Sequence, residues 1–89
     1  MERYLIETPH TDLDCLMLVE QVYAMGYLNH FDWGCPEGVH SAWAIIEAES
    51  YDQARLAVPP FIRRKARIVR LNKFTGETID THRHELRSA

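Results

Sequence analysis

The sequence predicts a small α+β domain whose elements follow the order β-α-β-β-α-β. Four short segments carry the alternation or the aromatic and β-branched residues typical of strands. Two further segments begin with helix-capping residues and end at glycine or proline. The chain has 89 residues, of which 46% are hydrophobic and 26% charged, which is enough for one small core. We therefore expect a single domain over residues 1–76, followed by a polar C-terminal tail over residues 77–89.

The first strand and the first helix are predicted from the residues around Pro9. Residues 3–8 are aromatic and β-branched, and Pro9 ends the strand. Thr11 then serves as a helix cap, with acidic residues in the first turn, and Gly26 is the natural residue after the helix end. The apolar stripe of this helix is predicted as Cys15, Leu16, Val19, Val22 and Tyr23.

The second and third strands are predicted as a hairpin. Residues 29–35 alternate apolar and polar side chains, Pro36-Glu37-Gly38 is typical of a turn, and residues 40–49 form the third strand. Ser50-Tyr51-Asp52-Gln53 is a capping box that opens a second helix. Pro59-Pro60 keeps that helix short, and residues 66–74 form the fourth strand.

This order of elements is the split βαβ arrangement of the ferredoxin-like fold, with a four-stranded antiparallel sheet and two helices on one face. Strand three carries Trp43 and Ile45 on one side and Ala42, Ala44 and Ile46 on the other. In strand four, Ile68 and Phe74 likewise oppose Val69 and Leu71. A sheet that is apolar on both faces needs a cover on both. A second copy of the chain is the simplest second cover, so we expect a homodimer.

Charge and composition argue against several classes of partner. Residues 1–62 sum to −8 and residues 63–89 to +5, while the whole chain has a pI near 5.9. An acidic domain with one basic stripe favours self-association over nucleic-acid binding. No apolar run is long enough to span a bilayer, and the first residues lack the apolar core of a signal peptide. With only two cysteines, a reducing cytoplasm is the expected location. The basic stripe comprises Arg63, Arg64, Lys65, Arg67, Arg70 and Lys73.

Four candidate metal ligands are predicted to meet where the first strand ends, which we call the top edge of the sheet. A right-handed crossover makes strands one and two parallel, with strand three antiparallel between them. That topology brings His10, Cys15, Cys35 and His40 to the top edge, with mirrored spacings of H-x4-C and C-x4-H. Thiolate and imidazole together suit zinc, copper or nickel, and Glu37 or His30 can replace one member.

Simpler interpretations of these four residues stay open. Cys15 lies on the apolar stripe, so it can be a buried inert thiol, and Cys35 can pair with it in a disulfide. The role of His10 can be limited to a hydrogen bond with a backbone carbonyl in the turn. His40 can simply pack at the start of a strand. Nucleophilic catalysis by Cys35 with a histidine base is chemically allowed. Arg63 and Arg64 are also expected near the top edge, where they are candidate anion or ligand contacts. His82-Arg83-His84 is interpreted as part of the polar tail.

Six short runs of the chain carry a resemblance: Pro9-His10-Thr11, Asp14-Cys15-Leu16, Phe31-Asp32-Trp33-Gly34-Cys35, Gly38-Val39-His40, Val58-Pro59-Pro60-Phe61 and Lys73-Phe74-Thr75. With these runs the chain resembles a group of small uncharacterised bacterial proteins. That resemblance implies the dimeric α+β barrel superfamily, in which two ferredoxin-like sheets face each other. The superfamily includes a nickel-binding kind, cofactor-free monooxygenases and isomerases, so it leaves the function open. The shared motifs include His10, Cys15, Cys35 and His40.

Three functional hypotheses follow from the sequence. The first is a cytoplasmic homodimer that binds a transition metal through the four His and Cys residues. The second is a cofactor-free enzyme of monooxygenase or isomerase type, with His10 or His40 as the acid–base group and Arg63 as an anion anchor. The third is an assembly module without chemistry, for which the charge asymmetry is the main indication.

Overall fold

Four strands form one antiparallel sheet in the computed structural model, which describes residues 1–80. The order across the sheet is β2-β3-β1-β4, so β1 and β3 are central and β2 and β4 lie at the edges. This order is compatible with the ferredoxin-like arrangement, and β3 lies antiparallel between β1 and β2 as predicted. The strands and helices are β1 (Glu2–Pro9), α1 (Cys15–Ala24), β2 (Phe31–Trp33), β3 (Ser41–Ala48), α2 (Tyr51–Arg55) and β4 (Arg67–Leu71).

Both helices pack on the same face of the sheet. Leu18 and Val22 of α1 and Ala54 of α2 are buried in one apolar cluster with alternate residues of the strands. The β1 side chains in this cluster are Tyr4 and Ile6, which match the period-two alternation of a strand with one covered face. The remaining buried members of the cluster are Phe31, Ala42, Ala44, Ile46, Ala48, Ala57, Val58 and Ile62.

Neither α1 nor α2 contributes its buried residues to the opposite face of the sheet. The register sets Leu5 beside Ile45 on one side and Val69 on the other, and Trp43 lies beside Glu7. Trp43 Nε1 donates a hydrogen bond of 2.9 Å to Glu7 Oε2 across the two central strands. Ile45 is 55% exposed, although it is a large apolar side chain in a central strand. We call this surface the open sheet face.

The predicted apolar stripe of α1 was partly wrong. Leu18 and Val22 are the buried residues, whereas Leu16 is 68% and Tyr23 64% exposed. The prediction paired neighbours in sequence, but residues one apart lie about 100° apart around a helix and do not share a face. The predicted end was correct, because the Gly26 and Tyr27 N–H groups donate to the carbonyls of Tyr23 and Val22.

Two strands, β2 and β4, are shorter than predicted, and tight turns replace the ends of β2. β2 is confined to Phe31–Trp33, since Leu28–His30 and Cys35–Glu37 each form a 3₁₀ turn. β4 ends at Leu71, which leaves Phe74 73% exposed.

Helix α2 has the predicted start. Ser50 Oγ accepts from Gln53 N, while Gln53 Oε1 accepts from Glu49 N, one residue before the position that a capping box predicts. The helix spans only five residues before the Pro59-Pro60 pair.

The predicted polar tail contains some regular structure. Residues 76–80 are helical, and Thr75 Oγ1 accepts a hydrogen bond from the backbone N–H of Thr78. His82, Arg83 and His84 lie outside the described residues. Within residues 1–80, no helix combines the length and apolar character that crossing a membrane requires.

Candidate metal centre

The two histidines are neighbours because the central strand pair continues one step beyond its last residues. The β1–β3 register ends with Pro9 opposite Ser41, and His10 N then donates to His40 O at 3.0 Å. The imidazole rings of His10 and His40 consequently lie 5.9 Å apart, edge to face. The top edge therefore brings together two residues separated by 30 positions, as the topology predicted.

Cys15 is brought to the same edge by the turn that leads into α1. Thr11 accepts a hydrogen bond from Asp14 N on its side-chain oxygen, and Asp12–Asp14 form a 3₁₀ turn before the helix. Cys15 is the first residue of α1, so its side chain lies where the chain has just left β1. The thiol is partly exposed, which contradicts the interpretation of Cys15 as a fully buried residue.

Cys35 is held by a compact turn that depends on glycine. Gly34 N donates to Ser41 O, and the Val39 and Glu37 N–H groups donate back to Gly34 O. A Cβ at Gly34 would lie 2.7 Å from Val39 O and 3.0 Å from the Trp43 ring, so no side chain fits there. Gly38 closes the turn at φ +82°, a conformation that favours glycine. The backbone around Cys35 is thus fixed from both sides.

The four predicted ligands converge. One ligand atom from each of His10, Cys15, Cys35 and His40 lies within 4.8 Å of every other. His10 is buried and the other three are partly exposed, so the cluster opens toward solvent on one side. Both cysteines are free, so the alternative in which they pair in a disulfide is not the arrangement seen here. His30 and Glu37, the suggested substitutes, are not part of the group.

Hydrogen bonding fixes which nitrogen of His10 faces the cluster. Nδ1 lies 3.0 Å from Thr8 O, and because a carbonyl oxygen can only accept, Nδ1 carries the proton. Nε2 then has a free lone pair, and it lies 3.0 Å from Cys35 Sγ. A backbone carbonyl that orients the ring in this way is typical of histidines that bind metals. The ring also packs edge-on against Trp33, with centroids 6.4 Å apart.

His40 has one nitrogen near a carboxylate and one without any partner. Nε2 lies 3.7 Å from Asp12 Oδ1, whereas Nδ1 is buried and has no hydrogen-bond partner in the described chain. A buried nitrogen without a partner costs free energy unless a ligand satisfies it. Nδ1 is therefore the atom of His40 that is available to bind an ion, with Asp12 on the far side of the ring.

Cys15 keeps its proton in the metal-free protein. Its pKa is raised from 9.0 to about 11, first by a side-chain hydrogen bond to Cys35, then by burial and by the negative charges of Cys35 and Asp12. A bound cation would act in the opposite direction, because a coordinated thiol loses its proton. In the metal-free cluster Cys15 is therefore a neutral thiol.

The basic residues expected at the top edge lie in a 3₁₀ turn over Arg63–Lys65, just before β4. Arg63 Nε donates to Val58 O at 3.0 Å, and Arg64 is exposed. Lys65, which the sequence did not single out as a site residue, lines an open cleft of about 430 Å³ beside His10, Pro9 and Thr11. An anion contact by Arg63 or Arg64 stays a prediction.

A second, larger cavity lies at the opposite end of the sheet. It has a volume of about 500 Å³ and is lined by residues from the start of β1 and the end of β3, together with Tyr27 and His30. The His10–His40 cluster does not contribute to it. The candidate metal centre is therefore separate from this cavity.

Sequence reasoning missed three supporting contacts of the cluster. Asp12 beside His40 was interpreted only as a first-turn acid, and the Thr8 carbonyl carries no signal in a sequence. The steric role of Gly34 depends on the distance between two strands, although a glycine directly before Cys35 was the available indication.

The chain matches no protein-family model, no curated protein and no solved structure.

Proposed function

We propose that this protein binds one transition-metal ion per chain through His10, Cys15, Cys35 and His40. The observation that carries the proposal is the convergence of four nitrogen and sulfur atoms within 4.8 Å of one another. Ligands 2.0–2.3 Å from a tetrahedral ion lie roughly 3.3–3.8 Å from one another. The cluster therefore needs a contraction of about 1 Å at its widest, which side-chain rotation supplies.

Zinc is the ion that the donor set favours most. Two thiolates and two neutral imidazoles form a common tetrahedral zinc site, and the two thiolate charges neutralise Zn²⁺. Copper(I) and nickel(II) share these donors and are the alternatives. His10 Nε2 and His40 Nδ1 would complete the set, with the Thr8 carbonyl and Asp12 orienting the two rings. Two free thiols also suit the reducing cytoplasm predicted from the sequence.

A homodimer of dimeric α+β barrel type forms the second part of the proposal. The centre of the open sheet face is apolar, with Ile45 exposed and Leu5 and Trp43 partly exposed. Its charges are divided, since Asp32 and Glu47 lie on β2 and β3 and Arg67 lies on β4. A two-fold axis parallel to the strands would set the acidic side of one copy over the basic side of the other.

The metal assignment is tested by titrating reduced, chelator-treated protein with Zn²⁺ and with Co²⁺. We expect one ion per chain, and tetrahedral thiolate-bound Co²⁺ gives intense visible and near-ultraviolet absorption. The double variant Cys35→Ser/His40→Ala should weaken zinc binding by at least about a hundredfold. His30→Ala removes a histidine outside the cluster and serves as the matched control. Wild-type affinity in the double variant, or no cobalt absorption, would show that these residues are not the ligands.

A further inference from the structure

We propose that the metal-free protein has a second activity, in which Cys35 reduces small disulfides and Cys15 completes the reaction as the resolving thiol. The nucleophile is assigned from one contact. His10 Nε2 lies 3.0 Å from Cys35 Sγ, and its lone pair faces the thiol because Nδ1 already donates to Thr8 O. An imidazole in this position accepts the thiol proton as the sulfur attacks.

Cys15 is placed to act second. Its ligand atom lies within 4.8 Å of that of Cys35. A disulfide requires an S–S separation of ~2.05 Å, so the sulfurs need to approach by less than ~3 Å. Cys15 begins a helix and Cys35 begins a 3₁₀ turn, so each side chain can rotate without disturbing a strand.

The reaction balances with a disulfide RS–SR as the oxidant. The Cys35 sulfur attacks one sulfur of RS–SR, its proton passes to His10 Nε2, and the departing thiolate takes that proton to leave as RSH. The Cys15 sulfur then attacks the Cys35 sulfur of the mixed disulfide and expels the second RS⁻, which takes the Cys15 proton and leaves as RSH. The protein loses two electrons and two protons, and one disulfide becomes two thiols. A dithiol reductant returns the pair to the reduced form.

The surroundings of His10 favour an anionic disulfide. The cleft of about 430 Å³ beside the His10 ring is lined by Pro9, Thr11 and Lys65, whose ammonium group attracts carboxylates. Cys35 itself is partly exposed, which leaves its sulfur open to a small flexible substrate. Glutathione disulfide carries carboxylates, and cystamine has the same disulfide bond with positive charges instead. The first should react faster with the wild-type protein.

The test follows reduced, metal-free protein mixed with glutathione disulfide, by acid quenching and intact mass spectrometry. Wild type should lose two hydrogens and end with the Cys15–Cys35 disulfide. Cys15→Ser should stop as a glutathione adduct on Cys35, whereas Cys35→Ser should form an adduct on Cys15 at least about tenfold more slowly. His10→Gln should slow adduct formation on Cys35 by about tenfold or more, but leave the attack by Cys15 unchanged. His30→Gln is the matched histidine control.

Three results would overturn the assignment. These are equal reaction rates at the two cysteines, a wild-type protein that forms no internal disulfide, and a His10→Gln variant as fast as His30→Gln. If a cysteine variant does not fold, timed alkylation and peptide mapping of wild type gives the same comparison, with Cys35 expected to react first. A zinc titration of the same protein separates the two proposals, because zinc binding without exchange overturns only this one.

Discussion

The backbone oxygen of Val39 lies 2.7 Å from the position that a Cβ on Gly34 would occupy. The turn that carries Cys35 thus closes so tightly on β3 that one methyl group does not fit. We expect Gly34→Ala to lower the free energy of unfolding by about 1–3 kcal/mol and to weaken zinc binding, because Cys35 moves with the turn. Thermal unfolding and zinc titration measure both effects. Gly76→Ala is the control, since its Cβ would meet nothing within 4 Å. Equal losses in the two variants would contradict the steric role.

Asp12 should tune the candidate metal centre without binding the ion. Its carboxylate lies 3.7 Å from His40 Nε2, on the side of the ring away from the unpartnered Nδ1. We expect Asp12→Asn to reduce zinc affinity by about tenfold. This is the lower end of the usual effect of residues that orient a metal ligand, because Asp12 is largely exposed. Competition with a chromophoric chelator gives the affinity. Asp52→Asn removes the same charge at the start of α2 and should leave zinc binding unchanged. If both variants behave alike, Asp12 acts only through net charge.

The raised pKa of Cys15 predicts how the stability of the metal-free protein changes in alkali. Its folded-state pKa of about 11 lies above the ordinary value of 9.0, so the folded chain holds the thiol proton more tightly than the unfolded chain. The resulting stabilisation is complete below about pH 9 and is lost as the pH rises toward 11. The melting temperature should therefore fall more steeply with rising pH for wild type than for Cys15→Ser. Parallel curves would show that Cys15 titrates alike in both states.

The proposed dimer depends on the open sheet face, and Ile45 lies at its centre. Ile45→Arg introduces a charge between Leu5 and Trp43, which should split the dimer while leaving the top edge intact. Sedimentation velocity should then show monomers that still bind zinc. Leu56→Arg is a matched control, because Leu56 is similarly exposed, at 57%, but lies at the end of α2. A dimer that survives Ile45→Arg, or a wild type that is monomeric, would exclude this interface.

The order of elements and the convergence of the cluster followed from the sequence, while their details did not. Pro9, Gly26 and Ser50 are strong local signals, so the starts and ends near them were predicted correctly. The predicted topology of β1, β2 and β3 was enough to place four residues at the top edge, namely His10, Cys15, Cys35 and His40. The length of β2 was not predicted correctly, because the alternation of apolar and polar residues continues into the 3₁₀ turns on either side of Phe31–Trp33.

Side-chain relations across the chain lay beyond prediction for a physical reason. The tautomer of His10 depends on a hydrogen bond to Thr8 O, and the environment of His40 depends on Asp12 from another segment. Such contacts depend on distances of a few ångströms between elements, which residue spacing does not encode. The phase of α1 was wrong for a related reason, since Leu16 and Leu18 are equally apolar and packing alone decides which of them is buried.

The mirrored spacing of the four residues has a consequence for how an ion would stabilise the chain. His10 with Cys15, and Cys35 with His40, are each separated by only four residues, so each pair closes a small loop at low entropic cost even in the unfolded chain. Either pair alone can chelate an ion weakly before the sheet exists. Because affinity for the unfolded state subtracts from the stabilisation of the native one, zinc should raise the melting temperature by less than its native-state affinity implies. The same half-sites would also let the ion associate with the chain before β1 and β3 pair.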